Sequence, residues 1–356
     1  MKIVYILAAI LIFGFLIAIH ELGHFVAAKL SGVRVNEFSI GMGPAVFSRV
    51  KGETQYSLRA LPLGGFCAME GEDTDTGDSR SFVRQGFWKK LFILAAGSFM
   101  NFVVGLLIVA IVYADAAAFL TDSITGFAPG FPYEGEQGLM VGDVFYKIDG
   151  KRTYVRGDAS TYLSAHRGDT IDLVMMRNGE RVVLKDFPMQ RATYIGTNGE
   201  TYTGFGLYVG IHQEEATFLS KMKFIWYTTM DFVQITWFGL EQIVRGDAGM
   251  EDISGPVGIV STITDVGTQA ETTSEAWWSI FFLAALIAVN LSVMNMLPIP
   301  ALDGGRIFFL VLDAISLALF KKQIPEKWQA SINASFFLIL MLFLLAVTFN
   351  DVTKLF

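Results

Sequence analysis

The chain has 356 residues, of which 53% are apolar and only 17% charged, and its mean hydropathy is +0.47. A soluble globular chain carries about 25% charged residues. The composition therefore excludes a disordered, collagen-like or highly charged nucleic-acid-binding protein and predicts repeated crossings of a lipid bilayer. The net charge of −7 is uneven: residues 114–278 hold 12 basic against 22 acidic side chains, and the rest of the chain sums to +3. A single cysteine, Cys67, removes any intramolecular disulfide and any all-cysteine metal site.

In chain order, the first apolar run is Ile3 to Ile19, and its helical pattern continues through His20-Glu21-Leu22-Gly23-His24 to about Leu30, where Ser31 and Gly32 stop it. No small-residue cleavage site follows a short apolar core, so this reads as a retained spanning helix and not a cleaved signal peptide. Residues 31–90 contain glycine-rich apolar patches, Ser39 to Pro44 and Leu61 to Phe66, then an acidic stretch from Glu70 to Asp78. Short strands and turns fit this segment better than helix. A second span covers about Trp88 to Tyr113.

From Ser123 to about Gln190 the pattern becomes β-like, with runs at Asp143 to Ile148, Thr170 to Arg177 and Arg181 to Phe187, and turns at Asp149-Gly150 and Asn178-Gly179. Residues 216–245 mix aromatic and charged side chains, as in an amphipathic helix on a membrane surface. A third span runs from about Trp277 to Leu297, ended by Pro298 and Pro300, and a fourth from about Ala330 to Phe349. Between them, 306–320 is short for a crossing, and the sequence alone leaves it open whether it spans, re-enters or lies flat.

Basic residues in short loops orient a membrane protein. Nine lie in 28–90, and Arg306, Lys321, Lys322 and Lys327 lie between the last two spans, so both segments are expected on the cytoplasmic side. Four spans then leave both termini and the acidic 114–278 segment outside.

His20-Glu21-Leu22-Gly23-His24 is H-E-x-x-H on a predicted helix. Residues four apart rise about 6 Å and are rotated by about 40°, so two imidazoles can reach one metal ion while Glu21 stands close enough to act on water beside it. That geometry is typical of zinc hydrolases. Ionisable residues beside a 17-residue apolar run are costly unless they coordinate, pair or face water; the alternative is a polar cluster at the helix end. His166 and His212, in the outside segment, read as solvated surface residues. Catalytic zinc usually takes a third protein ligand, and the acidic residues in or beside spans are Asp115, Asp303, Asp313 and Asp351. Asp303 stands out because two prolines break the helix just before it, and broken backbone at membrane depth normally lines a cavity. Equally, Asp303-Gly304-Gly305 could simply turn the chain and cap the next helix, and Asn295 could be interhelical hydrogen-bonding glue. Gly41 and Gly43 are not a phosphate loop, since no G-K-[ST] follows. Cys67 reads as an inert small residue, because neither motif histidine is free to activate it.

These motifs together resemble the site-2 protease family, in its bacterial RseP/RasP-type branch: H-E-L-G-H at residues 20–24, N-M-L-P-I-P-A-L-D-G at 295–304, and a soluble module between them. Leu63 to Phe66, Ala96 to Asn101 and Gly255 to Ile259 support the likeness, which covers essentially the whole chain. Gly97-Ser98 stands where the family often has Gly-Pro. The resemblance implies Zn2+ held by His20, His24 and Asp303, Glu21 as general base and acid, and Asn295 and Pro298 holding substrate or transition state. It also implies that Ser39 to Phe66, with Gly41 and Gly43, is a membrane-re-entrant β element that binds unwound substrate by strand addition; the alternative is an ordinary cytoplasmic hairpin. Gly138 to Gly150 resembles the signature of a single PDZ domain, acting as a size filter or a peptide binder.

The expected fold is a multi-pass α-helical membrane protein of about four transmembrane helices, with a membrane-associated β-hairpin region and an inserted α+β PDZ domain. The expected divisions are 1–113 (first half of the protease core), 114–215 (extracytoplasmic PDZ domain), 216–276 (amphipathic linker) and 277–356 (second half of the core). The stretch Arg191 to His212 has no clear family match. The expected activity is intramembrane endopeptidase cleavage in a bacterial cytoplasmic membrane, with the active site toward the cytoplasm. Expected partners are lipid and single-pass substrates trimmed by a first protease, such as anti-sigma factors or signal-peptide remnants, and no nucleic acid. Alternatives from other classes are a non-proteolytic PDZ scaffold, which intact His20, Glu21, His24 and Asp303 disfavour, and a transporter, disfavoured by the lack of an internal repeat. Substrate identity and oligomeric state are not encoded in any motif.

Overall fold

A computed structural model describes residues 2–72, 74–195, 201–247, 249, 252–322 and 326–354. The chain divides into two compact units, one made of Met1–Ile108 with Thr236–Phe356, the other of Val109–Ile235.

The first unit is largely helical. Among the described residues four helices are long and apolar enough to cross a bilayer: α1 (Lys2–Ser31), α2 (Phe87–Val112), α6 (Thr273–Asn295) and the Ser331–Lys354 part of α8 (Glu326–Lys354). At 1.5 Å per residue even the 23-residue α6 reaches roughly 35 Å, enough for a hydrocarbon core of about 30 Å. Only 6% of the α8 apolar stretch is buried inside the protein, so nearly all of it is left to face lipid. Span count and positions agree with the sequence reading to within a few residues. The undecided 306–320 segment belongs to α7 (Asp303–Phe320), which carries Asp303, Arg306 and Asp313 and is not one of the four.

A helix not anticipated from the sequence, α5 (Pro256–Gln269), precedes α6. It packs through Ile263 against Tyr5 and Ala9 of α1 and Ala276 and Ile280 of α6. The Gly255-Pro256-Val257-Gly258 motif has a physical reason here: the buried carboxylate of Asp351, on α8, accepts the Gly258 N–H at 2.8 Å. A Cβ on Gly255 or Gly258 would lie 2.8 or 2.9 Å from that carboxylate. An acidic side chain at a helix N-terminus satisfies orphan N–H groups and matches the helix dipole.

Residues 31–90 correct the expectation of short strands. β1 (Val35–Lys51) and β2 (Thr54–Met69) form an antiparallel pair folded back on itself, so that Glu37, Phe38, Ser39 and Ile40 each have two partners, Ala68 to Gly65 on one side and Gln55 to Leu58 on the other. Gly41 (φ +83°) and Gly43 (φ +85°) make the bend; a Cβ on Gly41 would meet the Leu61 carbonyl at 2.5 Å. Val35, Cys67 and Met69 join Ala27, Ala28, Ile93 and Leu94 in a buried cluster against which Ile307 and Leu310 of α7 also pack.

The second unit is built on a six-stranded sheet, in order β10-β3-β4-β6-β7 with β5 paired to β4. The strands are β3 (Ala118–Phe127), β4 (Val144–Ile148), β5 (Lys151–Arg152), β6 (Thr170–Arg177), β7 (Glu180–Pro188) and β10 (Leu207–Glu215); β8 (Ala192–Ile195) and β9 (Thr201–Gly204) pair separately. Alternation in β6 buries Ile171, Leu173 and Met175. The two-residue turns fall at Asp149-Gly150 and Asn178-Gly179, all four at positive φ, as right-twisted hairpins require. The family-unmatched stretch 191–212 thus contains β8, β9 and the start of β10, with 196–200 outside the described residues. α3 (Asp158–Ala165) and the amphipathic helix α4 (Phe218–Arg245) complete the description. Phe224 stacks on Phe119 at 4.3 Å, while Phe218, Leu219, Met222 and Trp226 stay exposed on α4.

Three buried carboxylates also meet in this unit. Asp122 accepts the Gly157 and Ala159 N–H groups, and Asp158 accepts those of Tyr154 and Val155. Asp231 of α4 hydrogen-bonds the Asp158 carboxyl. Burial, with Asp158 beside it, pushes the Asp231 carboxyl up to about 8, and burial raises Asp158 as well.

Candidate metal centre

The centre forms where α1, α2 and the N-terminus of α7 converge. Helical spacing places His20 and His24 one turn apart, with their Nε2 atoms 3.2 Å from each other. Asp303 Oδ2 lies 3.0 Å from His20 Nε2 and 3.2 Å from His24 Nε2. Among the described residues this trio is the one group of three or more His, Cys, Asp or Glu side chains whose ligand atoms converge, all within 4.8 Å of one another. Of the four acidic candidates for a third ligand, the fold therefore brings Asp303 to the histidines.

The donor set fits a tetrahedral ion. Ligand atoms about 2.0–2.1 Å from zinc stand about 3.3 Å apart at tetrahedral angles, close to the observed 3.0–3.2 Å triangle. The protonation pattern fits too. His24 Nδ1 lies 2.8 Å from the Ile93 carbonyl, which can only accept, so the proton sits on Nδ1 and the Nε2 lone pair is aimed at the cluster. Apart from the two imidazole nitrogens, the buried Asp303 Oδ2 has no hydrogen-bond partner among the described residues, as suits an acceptor that would ligate a cation.

Residues to which the sequence reading gave no role at the site complete the centre. Gly97 of α2 faces both imidazoles: a Cβ there would lie 2.4 Å from His24 Nε2 and 2.8 Å from His20 Nε2. Gly23 permits the same close crossing from the other side, since its Cβ would meet the Ala96 carbonyl at 2.3 Å. In the sequence, Gly97 stood out only as part of the family-like Ala96 to Asn101 segment, with no sign that it faces the histidines. Asn101, one helical turn further, has its Nδ2 3.5 Å from His20 Nδ1 and its Oδ1 buried without a partner. Turning that amide by half a turn would let Oδ1 accept from His20 Nδ1–H, leaving the His20 Nε2 lone pair free for a metal.

Glu21 lies within electrostatic range of His20, His24 and Asp303. Gly65 of β2 is its neighbour, because a Cβ at Gly65 would approach Glu21 Cγ to 3.4 Å and the Ser39 carbonyl to 2.8 Å. The β element is thus pressed against the helix that carries Glu21. Asn295 is the last residue of α6, and Pro298 lies exposed in the 296–302 connection that leads into Asp303. That connection is tightly wound: Ala301 has φ +78°, and a Cβ on Gly304 would come within 2.2 Å of the Leu297 carbonyl. Gly41 and Gly43 shape the bend of β1.

The other histidines divide. His212 is exposed as expected. His166 corrects the expectation of a solvated residue: its side chain is 8% exposed and pairs with Asp149 Oδ2 at 2.7 Å, because the Asp149-Gly150 turn brings the carboxylate over the end of α3. Cys67 is buried in the core cluster.

Residues 8–343 match the sequence profile of peptidase family M50. A Clostridium perfringens protein named as a zinc metalloprotease is 34% identical over 349 residues, covering 98% of each chain. One from Clostridium acetobutylicum, similarly named, is 32% identical and covers 98% of this chain and 97% of its own. The Bacillus subtilis regulator of sigma-W protease, RasP, is 26% identical over 99% of both chains.

Proposed function

The chain belongs to peptidase family M50 and is a zinc metalloprotease built on membrane-spanning helices; on that footing we propose that it cuts inside the transmembrane segments of single-pass proteins already shortened outside the membrane. The observation that carries this reading is the convergence, at 3.0–3.2 Å, of two imidazole nitrogens from a helix long enough to span with one carboxylate oxygen from α7.

In this reading His20, His24 and Asp303 hold the zinc and Glu21 is the general base and acid. Bound zinc supplies Lewis acidity, polarising a carbonyl and bringing the pKa of water toward about 7. Glu21 takes a proton from the attacking water and hands it to the departing amine. A regular transmembrane helix hides its backbone in internal hydrogen bonds, so the substrate must unwind before its carbonyl is attacked. The bent β1–β2 element, with Gly41 and Gly43, receives the unwound strand by edge pairing, a role supported by Gly65 lying beside Glu21. Asn295 donates its amide to the developing oxyanion and Pro298 shapes the adjoining substrate path.

The sheet module within 114–215 acts as a PDZ domain facing the outside of a bacterial cytoplasmic membrane, filtering ectodomain size or capturing peptide ends. Residues 216–276 link it to the second half of the core, 277–356. The protease opens toward the cytoplasm, a reading that the basic short loops support. The Bacillus subtilis relative is named for control of a sigma factor, which favours membrane anti-sigma factors as substrates, alongside signal-peptide remnants.

The test uses purified full-length protein, reconstituted with zinc, and a tagged single-pass substrate with a trimmed ectodomain. The wild type is expected to cut it and Glu21→Gln to leave it intact, with about one zinc per chain in wild type and loss of zinc in His24→Ala. Equal cleavage by wild type and Glu21→Gln would assign the activity to a contaminant, and a wild type that binds zinc yet cuts no such substrate would favour a scaffold.

A further inference from the structure

The element carrying Asp303 meets the rest of the centre at its N-terminal end. Asp303 is the first residue of α7, preceded by a connection with two prolines and a left-handed Ala301. The N-terminal end of α7 is pressed onto that connection, since a Cβ on Gly305 would meet the Ile299 carbonyl at 2.2 Å. Further along α7, Gln329 of α8 donates to Asp313 at 2.8 Å, which leaves the orientation of the Asp303 end to contacts nearer the centre. Rotation matters: a carboxylate about 6 Å from a helix axis moves about 1 Å for each 10° of turn.

One turn beyond Asp303, Arg306 donates to the Glu72 carboxylate, 234 residues away in sequence. Glu72 belongs to the turn that leaves β2, and its other oxygen faces the Met69 N–H. The turn is itself anchored: the Glu70 N–H donates to the Arg34 carbonyl at 2.8 Å, and the Phe82 N–H donates to the Glu70 carbonyl at 2.7 Å. The same strand carries Gly65, beside Glu21. Ile307 and Leu310 pack alongside, on the cluster that contains Met69 and Phe82. Apolar contact fixes how close α7 lies; the directional ion pair at its rim adds a constraint on its rotation.

We propose that Glu72 and Arg306 form a positioning clamp that sets the rotation of α7 and so places the Asp303 carboxylate against His20 and His24, in register with Glu21. The inference rests on the zinc-centre reading above. Neither clamp residue touches zinc or substrate, so both are positioning residues. Their side chains are 23% and 36% exposed, and ion pairs this open contribute little to global stability. Loss of the clamp should therefore register in metal affinity and turnover and not in unfolding.

Zinc affinity of the full-length protein is measured by competition with a chromogenic chelator, using zinc alone as the probe, beside cleavage kinetics of the single-pass substrate. Glu72→Ala and Arg306→Ala are each expected to weaken zinc binding 10- to 100-fold, the usual effect of removing support behind a metal ligand. They should also lower kcat more than KM changes. The double variant should be no worse than either single one, because the partners act as a unit, and Arg306→Lys should recover part of the loss. Should the alanine variants fail to fold, Glu72→Gln and Arg306→Gln, which remove the charges but keep long side chains, carry the same comparison. Wild-type zinc affinity in both single variants, or losses that multiply in the double, would overturn the clamp. A wild type that binds no zinc would instead overturn the metal centre on which the clamp rests.

Discussion

Replacing Gly97 with alanine adds one methyl group at the point where α2 meets the two imidazoles. The added Cβ would stand 2.4 Å from His24 Nε2 and 2.8 Å from both Cε1 and Nε2 of His20, where ordinary contact begins near 3.4 Å. Either the rings or the helices must give by about 1 Å, and a misplacement of that size in a reacting centre costs on the order of 100-fold in rate. Helix propensity works the other way, since alanine inside a helix is favoured over glycine by about 1 kcal/mol. Gly97→Ala is therefore expected to fold at near-normal stability yet bind zinc at least tenfold more weakly and cut substrate about 100-fold more slowly. Gly239→Ala is the control: its Cβ would meet nothing within 4 Å, so zinc binding should be unchanged. Chelator competition and single-turnover cleavage read both variants. A Gly97→Ala protein with wild-type zinc affinity and rate would show that Gly97 does not face the centre and that the α1–α2 crossing is wrongly drawn.

Two further predictions concern stability. The Asp231 carboxyl, raised from its ordinary 3.8 to about 8, binds its proton more tightly in the folded than in the unfolded chain. Its stabilising contribution is thus complete below about pH 4 and is lost as pH rises toward 8. Hydrogen exchange of the β3–β7 amides in the full-length protein should show local stability falling between pH 5 and 8 by on the order of 1 kcal/mol per pH unit, and Asp231→Asn should flatten that slope; an unchanged slope in the variant would refute Asp231 as the group that titrates. Asp351→Ala removes a charged acceptor from the Gly258 N–H at the start of α5 and should cost about 2 kcal/mol in denaturant unfolding; a change below a few tenths of a kcal/mol would mean that the carboxylate does not cap α5.

The parts of this protein legible from sequence are those in which a local pattern meets one dominant energy term. The cost of exposing peptide groups to lipid makes each spanning helix a run of apolar residues, so four crossings could be read directly from hydropathy. Asn178-Gly179 and Asp149-Gly150 marked hairpins because so few residues accept positive φ. His20 and His24 were legible as a pair on one helix face because a helix repeats every 3.6 residues. The double-backed pairing of Glu37 to Ile40 was not, since strand partners are chosen across the chain and no local pattern records them. Helix α5 escaped because its packing against Tyr5 and its cap by Asp351 come from remote segments.

By itself, then, the sequence determined a membrane-embedded chain with an inserted sheet module and a helical histidine pair, each written within a few consecutive turns. Tertiary structure turned Asp303 from the favoured candidate into the carboxylate that faces that pair, and it alone decided that Gly97 leaves the space and the Ile93 carbonyl orients His24. It also decided that Arg306 reaches Glu72. Each of those choices joins residues tens to hundreds of positions apart, and proximity of that kind is set by how helices cross, at distances one methyl group can change.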